Sequence, residues 1–390
     1  MLGFLLARAG IAVVVLEKQP DFLRDFRGDT IHPSTLELMG ELGLLDEFLR
    51  LPHQRATTIG AFFGDREYAF ADFTRLPTRC KFVALMPQWD FLNFVAEHGR
   101  KFPSFHLHMR AEALDLIAED GRIAGVRAQT ADGPLEVRAD LTVGCDGRHS
   151  TVCARAGLAG EDLGAPMDVL WFRLRRKASD PPETMGRFTA GGIAVLINRG
   201  DYWQCAFVIR KGGMEETRRA GLPAFRQSVA HRVPMLADRL DELTDWNQIK
   251  LLTVAVNRLD RWHRPGLLCI GDAAHAMSPI GGVGVNLAVQ DAVAAANILW
   301  RPLAAGTLQE ADLRRVQKRR MFPTRVTQRI QVIIQNNVIG RVLAEGGSLR
   351  PPLLLRLTSR LAILRQLPAR LVGIGVRPEH VSTPERSPWH

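Results

Sequence analysis

The sequence predicts an α/β protein: a parallel sheet with crossover helices, an antiparallel sheet inserted into it, and a helical C-terminal region. Three observations carry this. Ile11 to Leu16 is an unbroken apolar, β-branched run ending at Glu17, the pattern of a strand buried on both faces of a parallel sheet. Thr58 to Phe73 and Val169 to Arg210 are rich in aromatic and β-branched residues punctuated by glycine, which marks antiparallel strands sharing one sheet. From Ala292 onward the pattern is helical and basic, interrupted at Pro302, Pro323 and Pro351-Pro352.

Taken in order, Leu2 to Ala9 reads as the end of a helix closed by Gly10, so that the chain opens inside a βαβ unit, with a helix tail and second strand but no first strand. From Pro33 to Leu49, apolar Leu36, Met39, Leu42, Leu45 and Phe48 predict a helix with a turn near Gly43. A further helix starts in Met86-Pro-Gln-Trp-Asp-Phe-Leu, where Asp90 suits the positive end of the helix dipole. Phe105 to Val143 reads as a hairpin meander broken at Asp120-Gly121 and Asp132-Gly133, leading into a strand over Ala139 to Val143.

Composition sets limits. With 390 residues, 46% hydrophobic and 24% charged, the chain is long enough and apolar enough to bury a cofactor cleft. The net charge of +10 is scattered and accompanies no helix-turn-helix, zinc finger or RNA-binding motif, so nucleic acid is not the expected partner. The five cysteines include no Cys-x-x-Cys pair, and His106 and His108 have no neighbouring ligand, so neither a disulfide framework nor a metal is expected. No apolar run of about 18 residues and no basic leader are evident; the expected location is cytoplasmic, without a transmembrane segment. The tail from Leu353 to Val376, rich in leucine and arginine, reads as a packed amphipathic helix in preference to one lying on a membrane.

The segment from Cys269 to Val293 carries the strongest chemistry. An apolar strand, Leu267 to Ile270, delivers Gly271-Asp272; a loop with Pro279, Gly281, Gly282 and Gly284 then opens a helix at about Val285. A helix N-terminus presents free N–H groups and a positive dipole end, and glycines let a flat ligand approach the backbone. A second segment, Leu141 to Arg155, again puts an acid, Asp146, just past a strand and before a helix. Glu17 ends its strand where a dinucleotide fold places the acid that binds ribose hydroxyls, and Lys18 follows it. A histidine in such a loop, His275, is more often a packing residue than a general base.

The Gly-Asp and Asp-Gly segments together resemble those of the FAD-dependent aromatic-ring hydroxylases, the family of para-hydroxybenzoate hydroxylase and phenol hydroxylase. The resemblance implies an FAD/NAD(P)-binding Rossmann-like sheet over residues 1–56, 80–165 and 260–300, a substrate domain over 57–79 and 166–259, and a helical region over 301–390. It implies that Asp272 holds the ribitol chain, and that Pro279, Gly281, Gly282, Gly284, Val285 and Asn286 line the flavin ring. By the same resemblance Asp146, Gly147 and Arg148 serve FAD and NAD(P)H, Gln88 reaches FAD, and Arg27 positions the ring beside Pro279. The implied reaction uses NADPH or NADH and O₂ to hydroxylate an aromatic or polyketide-like small molecule through a flavin C4a-hydroperoxide. A homodimer is compatible with this. Tyr202 and Trp203 are weaker candidates for the substrate wall, with core packing favoured.

The pattern departs from the family's in one respect: no Gly-x-Gly-x-x-Gly precedes Glu17. A start codon assigned too far downstream is the expected reason, and a truncated remnant without catalysis the alternative. A flavin halogenase or epoxidase is a second alternative, although the Trp-x-Trp-x-Ile-Pro string of such halogenases does not occur.

Overall fold

A computed structural model describes residues 1–23, 30–64, 66–343 and 351–386. The parallel sheet is present in two pieces. Val13–Glu17 pairs with Phe105–Met109, and Thr142–Gly144 pairs with Leu267–Cys269, which folds back on His263–Arg264. The helix Leu2–Arg8 covers the face carrying Val13 and Val15, so closely that a Cβ on Gly3 would lie 2.9 Å from Val15 Cγ2. Val14 on the other face is 42% exposed, which corrects the expectation of a strand buried on both sides. Among the described residues the strand has one neighbour, and only one of its faces is covered.

The meander is confined to Glu112–Glu119, Arg122–Thr130 and Gly133–Arg138, an antiparallel three-stranded sheet. Phe105–Met109, expected to belong to it, is the parallel partner of Val13–Glu17. The switch falls at Arg110, whose φ of +54° turns the chain out of one sheet and into the other.

Thr58–Phe63 and Arg66–Asp72 join Met167–Arg175, Met185–Thr189, Gly192–Asn198 and Tyr202–Arg210 in one sheet, as the composition of these stretches predicts, and Lys250–Leu252, which was not expected, adds a seventh strand at its edge. One face is sealed by the helix Leu222–Arg232 and the turn of 3₁₀ helix Pro234–Glu242, with Leu170, Phe172, Trp203, Phe225 and Leu236 in the core between them. Trp203 is fully buried there and donates its indole N–H to Asp180 at 2.9 Å, so it packs the core. Tyr202 is half-buried with the Arg173 guanidinium 5.0 Å from its ring. The opposite face, with Val169, Ile193, Ala206 and Val208, packs on Ile280, Ile339 and Leu343. That contact brings the glycine-rich loop under the sheet.

The helices Gly284–Ala304 and Glu310–Ile334 run through Pro302 and Pro323, where the sequence suggested interruptions. A proline removes one helical N–H and crowds the carbonyl four residues back, but packing of the whole helix can outweigh that local loss. Val293, Ala296 and Leu299 are fully buried on the first helix, and Val316 and Arg320 on the second. The stretch Ile280–Ala304 is long and apolar enough to cross a membrane by length and composition alone, a test that a buried core helix also passes, and 56% of its most apolar 18-residue window is buried inside the protein.

Candidate cofactor and active site

Ligands of open α/β sheets gather at the carboxyl ends of the strands, and three acids stand there. Thr142–Gly144 and Leu267–Cys269 are adjacent and parallel, so Asp146 and Asp272 emerge side by side. Arg148 joins them: its Nη2 is 3.9 Å from Asp272 Oδ2, and its Nη1 donates to the Thr253 carbonyl at 2.7 Å. Asp146 is fixed by its own helix start, with Oδ1 accepting from Ser150 Oγ at 2.5 Å and Oδ2 from the Val152 N–H at 3.2 Å. Gly147 has φ +89°, and a Cβ there would meet nothing within 4 Å. Glu17 ends the Val13–Glu17 strand and accepts the Gln19 N–H at 2.9 Å. Lys18 is exposed and lies 4.0 Å from the exposed Glu112.

The loop after Asp272 reverses through Pro279 and two left-handed glycines, Gly281 at φ +77° and Gly282 at φ +63°, and then starts the helix at Gly284. Thr30 Oγ donates to the Gly282 carbonyl at 2.8 Å. Asn286 is buried, and its amide ties the loop to the Pro33–Glu41 helix. Its Oδ1 accepts from the His32 N–H at 2.9 Å and from Thr35 Oγ at 2.7 Å, and its Nδ2 donates to the Thr30 carbonyl at 3.2 Å. Val285 is half-buried against the same core. Gln88 is the first residue of the helix Gln88–Arg100 and is half-buried. Arg27 lies outside the described residues.

The glycines differ in what they tolerate. A Cβ on Gly282 would sit 2.3 Å from Thr30 Oγ in a backbone that L-residues avoid, whereas one on Gly284 meets only Met277 Cβ at 3.8 Å. Gly282→Ala is therefore expected to cost about 1–3 kcal/mol in urea unfolding, and Gly284→Ala to leave stability unchanged or slightly raised. Should Gly284→Ala alone weaken a flavin ligand, close approach of that ligand to the backbone is the reason.

Beneath the loop runs a polar network that the sequence reading did not anticipate. Asp291 is fully buried; its Oδ2 accepts from the Gly271 N–H at 3.1 Å and from His275 Nε2 at 2.5 Å, and its Oδ1 from Arg320 Nε at 2.8 Å. Arg320 continues to Glu379 at 3.2 Å, linking the C-terminal segment to the Gly271 turn. Burial alone would raise the Asp291 carboxyl, but the charges and hydrogen bonds of His275 and Arg320 outweigh it and hold it below the usual carboxylate range. His275 is thus a buried member of this network, the packing role favoured from the sequence.

Farther along the Glu310–Ile334 helix, Gln328 donates to the Ala276 carbonyl at 3.1 Å. Gln331 accepts the Ser278 N–H at 3.1 Å and donates to the Ser278 and Ile280 carbonyls at 2.9 and 3.0 Å. Arg320, Thr324, Gln328, Gln331 and Gln335 recur at steps of four, four, three and four, a buried polar stripe at helical period. That stripe is the signal a sequence reading could have used.

His32 is buried beside Asn286, with Nδ1 2.7 Å from the Val372 carbonyl, which can only accept, so Nδ1 carries the proton. Burial pushes its pKa down to about 4 from 6.5, against the smaller pull of that carbonyl. Between those two values the unfolded chain binds the proton and the folded chain does not, so stability rises with pH across that window. Folding stability is expected to fall by roughly 3 kcal/mol from pH 6.5 to 4, a slope that urea titrations of His32→Gln should lack.

Carboxylates at three strand ends, an unobstructed left-handed Gly147 and a glycine loop at a long helix's N-terminus make a donor set that fits the hydroxyl-rich and planar parts of a flavin dinucleotide. The family model described as "FAD binding domain" matches residues 1–330. The chain belongs to the FAD-binding domain family. It is 32% identical over 372 residues to 6-methylpretetramide 4-monooxygenase of Streptomyces rimosus, covering 94% of this chain and 88% of that one. To rifampicin monooxygenase of Streptomyces venezuelae it is 29% identical over 303 residues, covering 75% of this chain and 59% of that one. Its fold matches the crystal structure of p-nitrophenol 4-monooxygenase from Pseudomonas putida with a TM-score of 0.74 at 18% identity, covering 93% of this chain and 89% of that one. As a member of this FAD-binding family, the protein is an FAD-dependent monooxygenase that uses NAD(P)H and O₂ to hydroxylate an aromatic or other electron-rich small molecule.

Proposed function

We propose that the substrate is a polycyclic aromatic polyketide, and that Glu17, Asp146, Asp272 and the loop from Pro279 to Asn286 are the residues that hold FAD. The observation that supports this reading is the convergence of Asp146, Arg148 and Asp272 on two adjacent strand ends, followed by a loop whose Ile280 packs against an apolar face of the large sheet. FAD held by these residues would supply the hydride acceptor for NAD(P)H and the group that activates O₂. The protein's share is orientation and exclusion of water. Asp272 would accept hydrogen bonds from the ribityl hydroxyls and Glu17 those of the adenosine ribose, with Arg148 beside Asp272 at 3.9 Å. The Pro279 to Gly284 loop would line the ring system, and Gln331 and Thr30 hold that loop in place through its carbonyls. Trp171, Phe188, Val195 and Val208 give the sheet face an aromatic and branched-apolar character that suits a flat, fused-ring ligand. The relative that is 32% identical is named for such a compound, 6-methylpretetramide.

Aerobic NAD(P)H consumption is the test, run with the FAD-loaded chain, a fused-ring phenolic polyketide and a single-ring phenol. Stimulation by the polyketide with one labelled oxygen atom from O₂ in the product is expected. Stimulation by the single-ring phenol alone would overturn the substrate class.

A further inference from the structure

Six of the twelve large hydrophobic side chains exposed among the described residues lie within fifteen positions of the C-terminal region: Leu353, Leu357, Leu361, Ile363, Leu364 and Leu367. Leu353 and Ile363 are 69% exposed and Leu367 75%. These are not residues awaiting a seat, because the segment is already docked by its other side. Leu355 packs with Phe63 and Tyr68, Thr358 and Ala369 are buried, and a Cβ on Gly373 would lie 2.8 Å from Leu76. Arg365 staples the turn between the helices Leu353–Arg360 and Gln366–Gly373, donating to the Thr358 and Ser359 carbonyls at 2.9 and 2.6 Å. Leu353 and Leu357 lie one turn apart on the first helix, Leu361 and Leu364 in the turn that follows and Leu367 on the second helix, a stripe of exposed leucines along the segment. Exposed large apolar side chains gathered within so short a segment mark a binding face.

Charge selects the occupant. Residues 351–378 contain Arg356, Arg360, Arg365, Arg370 and Arg377 and no aspartate or glutamate. Arg356, Arg360 and Arg370 are exposed around the stripe, and among the described residues none of them is ion-paired. A second copy docking the same face would set arginine against arginine, whereas an anionic lipid surface meets both features: acyl chains for the leucines and headgroup phosphates for the guanidinium groups. We propose that this stripe seats the protein on the surface of an anionic lipid bilayer, lying in the interface without spanning it.

Co-sedimentation of the full chain with vesicles tests this, using phosphatidylcholine mixed with phosphatidylglycerol and phosphatidylcholine alone. Binding to the mixed vesicles is expected, weakened about tenfold or more on neutral vesicles and by high salt. Leu361→Ser with Leu367→Ser should lower partitioning by about tenfold or more, because two exposed leucines lose their burial in lipid. Arg356→Glu with Arg360→Glu, at two exposed positions, should do the same with the far-ultraviolet circular dichroism unchanged. Equal partitioning of the wild type and both variants would overturn the proposal. So would absence of vesicle binding together with a concentration-dependent dimer that the leucine variant abolishes.

Discussion

Asp291→Ala is expected to be the most destabilising single substitution outside the large sheet, costing about 3–5 kcal/mol. The carboxylate is fully buried and accepts from three groups, the Gly271 N–H, His275 and Arg320. Its removal leaves the Arg320 guanidinium, itself fully buried, with only the more distant Glu379 and the Arg377 carbonyl as partners. A buried guanidinium that loses the nearer of its two carboxylates is no longer fully compensated for its lost hydration, which adds to the loss of the hydrogen bonds themselves. Urea unfolding should show the midpoint lower by on the order of 1 M. Asp291→Ala combined with Arg320→Met should cost less than the two losses added together, because the second change removes the charge that the first leaves under-compensated. Additive losses would mean that Asp291 and Arg320 are not coupled.

Asp272→Ala is expected to have the opposite signature, a large loss of cofactor with little loss of fold. Its side chain is 37% exposed, and among the described residues its one ion pair is the 3.9 Å approach of Arg148, a geometry worth little to stability. If it holds the ribityl hydroxyls as proposed, deleting two hydrogen bonds to a charged acceptor should weaken FAD binding by about tenfold to several hundredfold. Asp272→Asn, which keeps one acceptor oxygen, should recover part of the affinity. Equilibrium titration with FAD and urea unfolding of the same variants separates the two effects, and a parallel fall in both would place Asp272 in the folding core.

Much of this was legible in the residues themselves. Strand, aspartate, glycine loop and helix follow one another from Leu267 to Ala304 because each step has its own local chemistry: an apolar run, a strand-end acid, left-handed glycines and a long apolar helix. The hairpins over Thr58 to Phe73 and Val169 to Arg210 were legible for the same reason. What could not be read depends on partners distant in sequence. Pro302 and Pro323 have the residue type that ends helices, and only the packing of Leu299 and Val316 shows why these helices continue. Val14 sits in an apolar run, and its exposure follows from which face the Leu2–Arg8 helix covers. The partners of the Asn286 amide, Thr30, His32 and Thr35, could not be read either, because they come from a segment more than two hundred residues away. Gln328 and Gln331 are ordinary helix-surface residues until the carbonyls of the loop from Ala276 to Ile280 are placed against them.

Visible absorbance of the purified chain titrated with FAD, beside Asp272→Ala, asks whether these loops hold the cofactor. Shifted, structured flavin bands that stay with the protein on gel filtration are expected for the wild type and are expected to be lost in the variant. A folded wild-type chain whose flavin spectrum stays that of free FAD, or a variant that retains the bands equally well, would contradict the assignment of this site.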